Sequence, residues 1–167
     1  MYKLRSFTRE DIPKLLSWMH SAKDLLIWTG SGYKWPLDSS QLEETLVKAN
    51  KSNSKYQLLK FVTDNSMIGY IELKIHDSND NTAHIGRLII DPKMRGRGLG
   101  IKLINLLKKY AQDVLNIKTL TLGVYSSNQT ARSLYERTGF IVTDIKAKSI
   151  NFKNEQWDLV LMECQLQ

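Results

Sequence analysis

The spacing of hydrophobic and polar positions changes from one period to another along the chain, and each change marks an element. Residues 2–7 (YKLRSF) alternate and predict a short strand. Thr8 followed by Asp11 is a capping signal, after which Ile12, Leu15, Leu16 and Met19 recur at helical spacing. Residues 25–38 (LLIWTGSGYKWPLD) break the period and read as a connection holding large aromatics among Gly30, Gly32 and Pro36. Ser40 with Glu43 then caps a second helix through Leu42, Leu46 and Ala49. Period two takes over in residues 56–63, 67–76 and 82–90, separated by turn chemistry at Asp64-Asn65-Ser66 and at 77–81. After RGRGLG a long helix runs to about Leu115, with Leu103, Leu106, Leu107, Tyr110, Ala111 and Val114 as its apolar stripe. Residues 119–124 form a strand, 128–137 a helix ended by Gly139, and two strands close the chain.

The order β-α-α-β-β-β-α-β-α-β-β describes one α/β domain over residues 1–167, of the α+β mixed kind. Its mixed, mostly antiparallel central sheet would be flanked by about four helices. A helix between the strands at 82–90 and 119–124 implies a parallel crossover there.

Composition narrows the classes without choosing among them. In 167 residues, 42% hydrophobic and 25% charged side chains are globular values, which exclude disorder and a disulfide scaffold. No apolar run approaches a bilayer span, so no membrane partner is expected. The first residues carry charges and lack an apolar core, so no signal peptide is expected. Cys164 is the single cysteine, which points to a reducing cytoplasm, and three histidines beside it leave no set of metal ligands. The net charge of +7 favours an anionic partner: nucleic acid, acidic lipid or a phosphorylated small molecule. Residues 92–109 carry Lys93, Arg95, Arg97, Lys102, Lys108 and Lys109 and no acidic residue.

Within that stretch, Arg95-Gly96-Arg97-Gly98-Leu99-Gly100 lies between a strand and a helix. Glycines let the backbone approach a ligand closely, the first helical amides are unpaired, and the arginines add charge-assisted donors. Such a turn is a pyrophosphate cradle. A dinucleotide fingerprint would need a third glycine at Ile101, and a Walker loop is absent. The plainer alternative is a connector with solvated arginines.

The run IIDPKMRGRGLG resembles the signature of the GNAT N-acetyltransferases, Arg/Gln-x-x-Gly-x-Gly/Ala, met here by Arg95, Gly98 and Gly100. A second family segment is met by Asn128, Ala131, Tyr135, Gly139 and Phe140. WTG…WPL, AHIGRLII and NFKNEQWDLVLM resemble the branch holding ribosomal-protein alanine/serine N-acetyltransferases and spermidine acetyltransferases. The resemblance covers essentially the whole chain. It implies the GNAT fold, acetyl-CoA as co-substrate, and direct attack of a primary amine on the thioester.

That chemistry needs a held donor, a neutral amine, a stabilised oxyanion and a proton for the leaving thiolate. On the 128–137 helix, Asn128, Ala131 and Tyr135 share one face. The resemblance makes Tyr135 the general acid and Asn128 a hydrogen-bond partner of the pantetheine arm, with Ala131 beside it. Otherwise Tyr135 is a core tyrosine. Cofactor contacts implied by the family are Leu88, Ile90, Arg95, Gly96, Arg97, Gly98, Leu99 and Gly100, with the oxyanion met by a main-chain amide near Ile90.

The base stays open between His84, Glu72 and a water chain. His84 has the right ordinary pKa and, by strict alternation, shares a face with Gly86, Leu88 and Ile90. The family branch often has Glu at the place of His84. Trp28, Tyr33 and Trp35 are candidates for lining the acceptor pocket, or else they plug the loop onto the sheet; Trp157 and Asp158 are expected to border the same cavity. A chain at +7 repels a polycation unless Asp24, Asp38, Glu43 and Glu44 form a local acidic patch. The acceptor is therefore left as a small amine or a peptide N-terminus. Two other readings compete: an acetyl-CoA sensor without turnover, and a basic nucleic-acid-binding module, for which no helix-turn-helix, RNP or zinc spacing exists. Relatives of this kind are commonly homodimers, although no apolar stripe here demands one.

Overall fold

Three period-two segments pair side by side as an antiparallel meander, β2 (Tyr56–Thr63), β3 (Ser66–Ile75) and β4 (Thr82–Ile90). The computed structural model describes residues 1–64, 66–77 and 81–167. Asn65 and residues 78–80, which belong to the two expected turns, lie outside them. β1 (Tyr2–Ser6) adds antiparallel to β2. The helix α4 (Leu99–Asp113) carries the chain over to β5 (Thr119–Tyr125), which pairs in parallel with β4. α5 (Gln129–Arg137) follows, and the hairpin of β6 (Ile141–Phe152) and β7 (Glu155–Gln165) completes the order β1-β2-β3-β4-β5-β7-β6. The expected mixed sheet with one parallel crossover is the fold observed.

Each face of this sheet has its own core. On one, Phe61, Ile71, Leu73, Leu120 and Leu122 pack against Leu103, Ile104 and Leu107 of α4 and Tyr135 of α5. Burying each of these leucines contributes about 1.5–3 kcal/mol. On the other, Leu58, Tyr70 and Ile89 pack under α1 (Ile12–Leu16) and α3 (Ser39–Ala49), through Leu15, Trp18 and Leu42.

The structure has a helix more than the pattern predicts. α2 (Ala22–Thr29) occupies the start of the segment read as a connection. Its four consecutive apolar residues, Leu25-Leu26-Ile27-Trp28, have no helical period, because α2 is covered on more than one side. A signal was present in Ser21, whose side chain accepts from the Asp24 N–H at 3.1 Å. The cap of α3 is Asp38, accepting from the Gln41 N–H at 3.0 Å, and not Ser40 with Glu43. On α4, Ile104 lies in the core, while Val114, past the helix end, is exposed. Among the described residues no helix is long and apolar enough to cross a membrane.

Candidate active site

Paired along their first halves, β4 and β5 part in the second. Their parallel register runs from Thr82 with Thr119 to Ile85 with Leu122 and stops there. At the same level β4 gains a residue against β3: Tyr70 faces Ile89 and Glu72 faces Gly86, leaving Arg87 and Leu88 opposite Ile71. This is a β-bulge, with Arg87 in the left-handed region at φ 49°. Arg87 and Leu88 have no register partner on either neighbour, and both line the space between the strands.

The bulge also corrects the expected facing of β4. Arg87 reaches the same side of the sheet as Glu72, whereas Leu88 and Ile90 join the α4 core. Strict alternation had placed Leu88 and Ile90 with His84; the extra residue puts them on the opposite face.

A single cavity of about 1070 Å³ passes through the parting, lined by both strands, by the α4 and α5 termini and by α2. On the α4 side, Gly98 caps the helix at φ 70° and Gly96 lies at φ 76°. A Cβ at either glycine would meet nothing within 4 Å, so open space lies over both. Intrahelical bonding begins with Lys102 N–H to Gly98 O at 3.3 Å, leaving the amides of Leu99, Gly100 and Ile101 without that partner in residues that line the cavity. Arg95 lines it too, tied back by its Nε to the Ile90 carbonyl at 3.3 Å. Gly100 has a packing reason as well, since a Cβ there would stand 2.9 Å from Leu134 Cδ2 of α5.

Arg97 differs from the expectation: it is exposed and outside the cavity lining. Lys93 is exposed as well, whereas three further cations of the basic stretch have local partners around α4. Lys102 lies 4.5 Å over Tyr2, Lys108 donates to the Thr138 carbonyl, and Lys109 pairs with Asp113 at 2.6 Å.

Asn128, Ala131 and Tyr135 line the cavity from α5, as their spacing predicts. Asn128 caps the helix by accepting from the Ala131 N–H at 3.2 Å, which leaves its amide NH₂ to donate. Tyr135 is buried edge-on against Phe140, with centroids 5.8 Å apart. Its hydroxyl has no hydrogen-bond partner among the described residues, and burial raises the phenol well above its ordinary pKa. The proton is therefore held on Tyr135 across the physiological range.

The opposite side of the cavity lies under α2. Trp28 lines it and packs edge-on over Tyr70 at 6.0 Å. Tyr33 and Trp35 do not line it. Tyr33 instead stacks on the Arg87 guanidinium at 4.2 Å and bonds Thr45 at 2.7 Å, and Trp35 is exposed. Trp157 is buried against Phe152 and Asp158 bonds the Lys148 N–H, so neither borders the cavity.

The candidate bases are separated by their surroundings. Glu72 is buried and occupied: Tyr70 Oη donates to it at 2.6 Å and Arg87 pairs with it at 3.0 Å. His84 lines the cavity with Nδ1 3.0 Å from Thr121 Oγ1. Burial, together with His76 and Lys74, holds its imidazole below the ordinary value, so it is neutral at neutral pH.

Sequence reasoning missed Arg87, Lys74, Tyr125 and Leu159 as cavity residues. Gly30 was the available signal for Tyr125: a Cβ there would come within 2.5 Å of its Oη.

The profile of the Acetyltransferase (GNAT) family matches residues 17–140. A spermine/spermidine N(1)-acetyltransferase of Bacillus subtilis (strain 168) is 28% identical over 75 residues, 45% of this chain and 49% of that protein. An N-acetyltransferase 9-like protein of Nematostella vectensis is 32% identical over 76 residues, 45% of this chain and 38% of that one. The matched stretch thus spans less than half the length of either relative. Among solved structures, the spermidine N-acetyltransferase of Vibrio cholerae in complex with CoA and spermine superposes with a TM-score of 0.84 at 22% identity, covering 99% of this chain and 95% of that one. At that identity the likeness is one of fold.

Proposed function

Because the chain belongs to the GNAT acetyltransferase family, we propose that it transfers an acetyl group from acetyl-CoA to a primary amine by direct attack on the thioester. The observation that carries this reading is the parting of β4 from β5 at the bulge. It joins a glycine-lined groove at α4 to a chamber under α2, with Tyr135 lining the same cavity. The groove fits a pyrophosphate: left-handed Gly96 and Gly98 with open space above them, free helical amides, and Arg95. Leu99 and Gly100 complete that turn, while exposed Arg97 would act only through its long-range charge.

Acetyl-CoA supplies an activated acetyl thioester. Asn128 would donate to the pantetheine arm and Ala131 leave room for it. The main chain at Arg87 and Leu88, with neighbouring Ile90, would meet the carbonyl oxygen as charge develops. Tyr135 would hand its proton to the departing thiolate. Neutral His84 would accept the proton of the amine, directly or through water, because Glu72 is already held by Tyr70 and Arg87. Relatives named as spermidine or spermine acetyltransferases support an amine acceptor. Buried Cys164 as the single cysteine suits a reducing cytoplasm.

Calorimetric titration with acetyl-CoA, with NAD and ATP as controls, tests the reading, followed by thiol release with an amine panel. Selective binding of acetyl-CoA and amine-dependent thiol release are expected. Absence of acetyl-CoA binding would overturn it.

A further inference from the structure

The acceptor chamber's charges identify the kind of amine it takes. Four acidic residues cluster in sequence around the α2–α3 connection, yet the fold disperses them. Asp38 is spent as the α3 cap, Glu43 pairs with Arg9 at 3.0 Å, and Glu44 lies outside the cavity lining. Of the four, Asp24 alone lines the cavity. Glu72 also lines it, but the Arg87 guanidinium neutralises that carboxylate at 3.0 Å.

Lys74 answers Asp24 with the opposite charge. It lines the same cavity, sits opposite His84 in the β3–β4 register, and rests its Nζ 5.7 Å above the Tyr56 ring. Among the described residues no carboxylate lies within ion-pair distance of Lys74, and no cation within ion-pair distance of Asp24. Apart from Arg95 and Arg137, which line it from the α4 and α5 ends, the cavity thus presents one carboxylate and one ammonium without an ion-pair partner among the described residues, with Ile27, Trp28, Leu159 and Leu161 as apolar lining. A polycation entering it would find one counter-charge and a repelling lysine. An amine bearing a carboxylate would find a partner for each charge.

Resting on the acetyltransferase reading, we infer that the acceptor is a zwitterionic amine, one amino group and one carboxylate on an apolar body, with Lys74 holding the carboxylate and Asp24 drawing in the ammonium. Burial lowers the His84 pKa, and the Lys74 charge beside it acts in the same direction.

The test uses the full chain with saturating acetyl-CoA and three five-carbon acceptors of equal length: 5-aminopentanoate, pentylamine and 1,5-diaminopentane. Spermidine is added as the polycation. Thiol release should give kcat/KM for 5-aminopentanoate at least tenfold above the diamine and spermidine. Lys74→Glu should reverse that order, with acetyl-CoA affinity by calorimetry unchanged within twofold. Preference for the diamine or spermidine in the wild type, or an order unmoved by Lys74→Glu, would overturn the inference and leave the acetyltransferase reading standing. Failure to bind acetyl-CoA, or turnover with none of the four amines, would overturn the inference, and the first of these would remove the acetyltransferase reading as well.

Discussion

Arg87 Nη1 lies 3.0 Å from one carboxylate oxygen of Glu72 and 3.1 Å from the other, so a residue in the bulge of β4 grips the neighbouring strand from a left-handed backbone. The grip extends in both directions. Tyr70 donates to Glu72 at 2.6 Å, and the same Arg87 nitrogen donates to Tyr33 Oη at 3.1 Å. Burial and the Glu72 charge raise the Tyr70 and Tyr33 phenols, which keeps them as neutral donors. Gly32 makes room for the guanidinium, since a Cβ there would come within 2.6 Å of Arg87 Nη2. The loop after α2 and the bulge that opens the sheet are therefore one bonded unit.

Breaking that unit from one side should be costly. Arg87→Leu leaves the Glu72 carboxylate buried without its cation, at a cost of about 3–5 kcal/mol. Arg87→Leu with Glu72→Leu removes the unpaired charge and should recover most of the loss. Urea unfolding of the four proteins of the double-mutant cycle gives the coupling. Equal, additive losses from the two single substitutions would mean the pair carries no coupling.

Tyr135→Phe separates chemistry from packing. The ring is buried against Phe140, and the hydroxyl has no partner among the described residues, so removing it should shift stability by under about 1 kcal/mol. With Tyr135 as the acid, kcat should fall by about 10²-fold or more while acetyl-CoA affinity holds. Thermal unfolding, calorimetry and thiol release on the same preparation read the three quantities. An unchanged kcat would leave Tyr135 as a core tyrosine.

Gly98, which caps α4, and Gly100 in its first turn should fail differently. Gly98→Val puts a β-branched residue at φ 70°, a strain of about 1–3 kcal/mol, and fills the open space where a ligand would approach. Its main effect should be loss of acetyl-CoA binding by a still folded protein. Gly100→Val instead pushes against Leu134, 2.9 Å from the first added carbon, and should lower the unfolding midpoint by loosening α4 from α5. If Gly98→Val binds acetyl-CoA normally, the pyrophosphate does not lie at this turn.

Much of this was legible because period and punctuation agree. Alternation in residues 56–90, the α4 stripe and the glycine turn each have a local cause, and their sum admits few topologies. The bulge was not legible. Arg87 is not a glycine, and nothing in AHIGRLII distinguishes a strand with an extra residue from a regular one. That single residue sets which face Leu88 and Ile90 occupy and brings a guanidinium to Glu72, so both the facing of β4 and the fate of a candidate base escaped the pattern. The aromatic loop was ambiguous for a related reason: a tyrosine that lines a pocket and one that stacks on a buried arginine have the same local sequence.

The surroundings of His84 tie stability to pH. Burial, with His76 and Lys74 adding repulsion, holds its folded pKa below the ordinary 6.5. The unfolded chain therefore takes up this proton first as pH falls. The stability associated with neutral His84 is complete above about pH 6.5 and declines below it, until the folded form is protonated too. The unfolding midpoint of the wild type should drop on acidification from pH 7 to 5, and less steeply in His84→Asn. As the base, His84 should also cost about 10²-fold or more in kcat at pH 8 when replaced by Asn. A flattened stability profile with full activity would make His84 a buried histidine only, and would pass the proton to water.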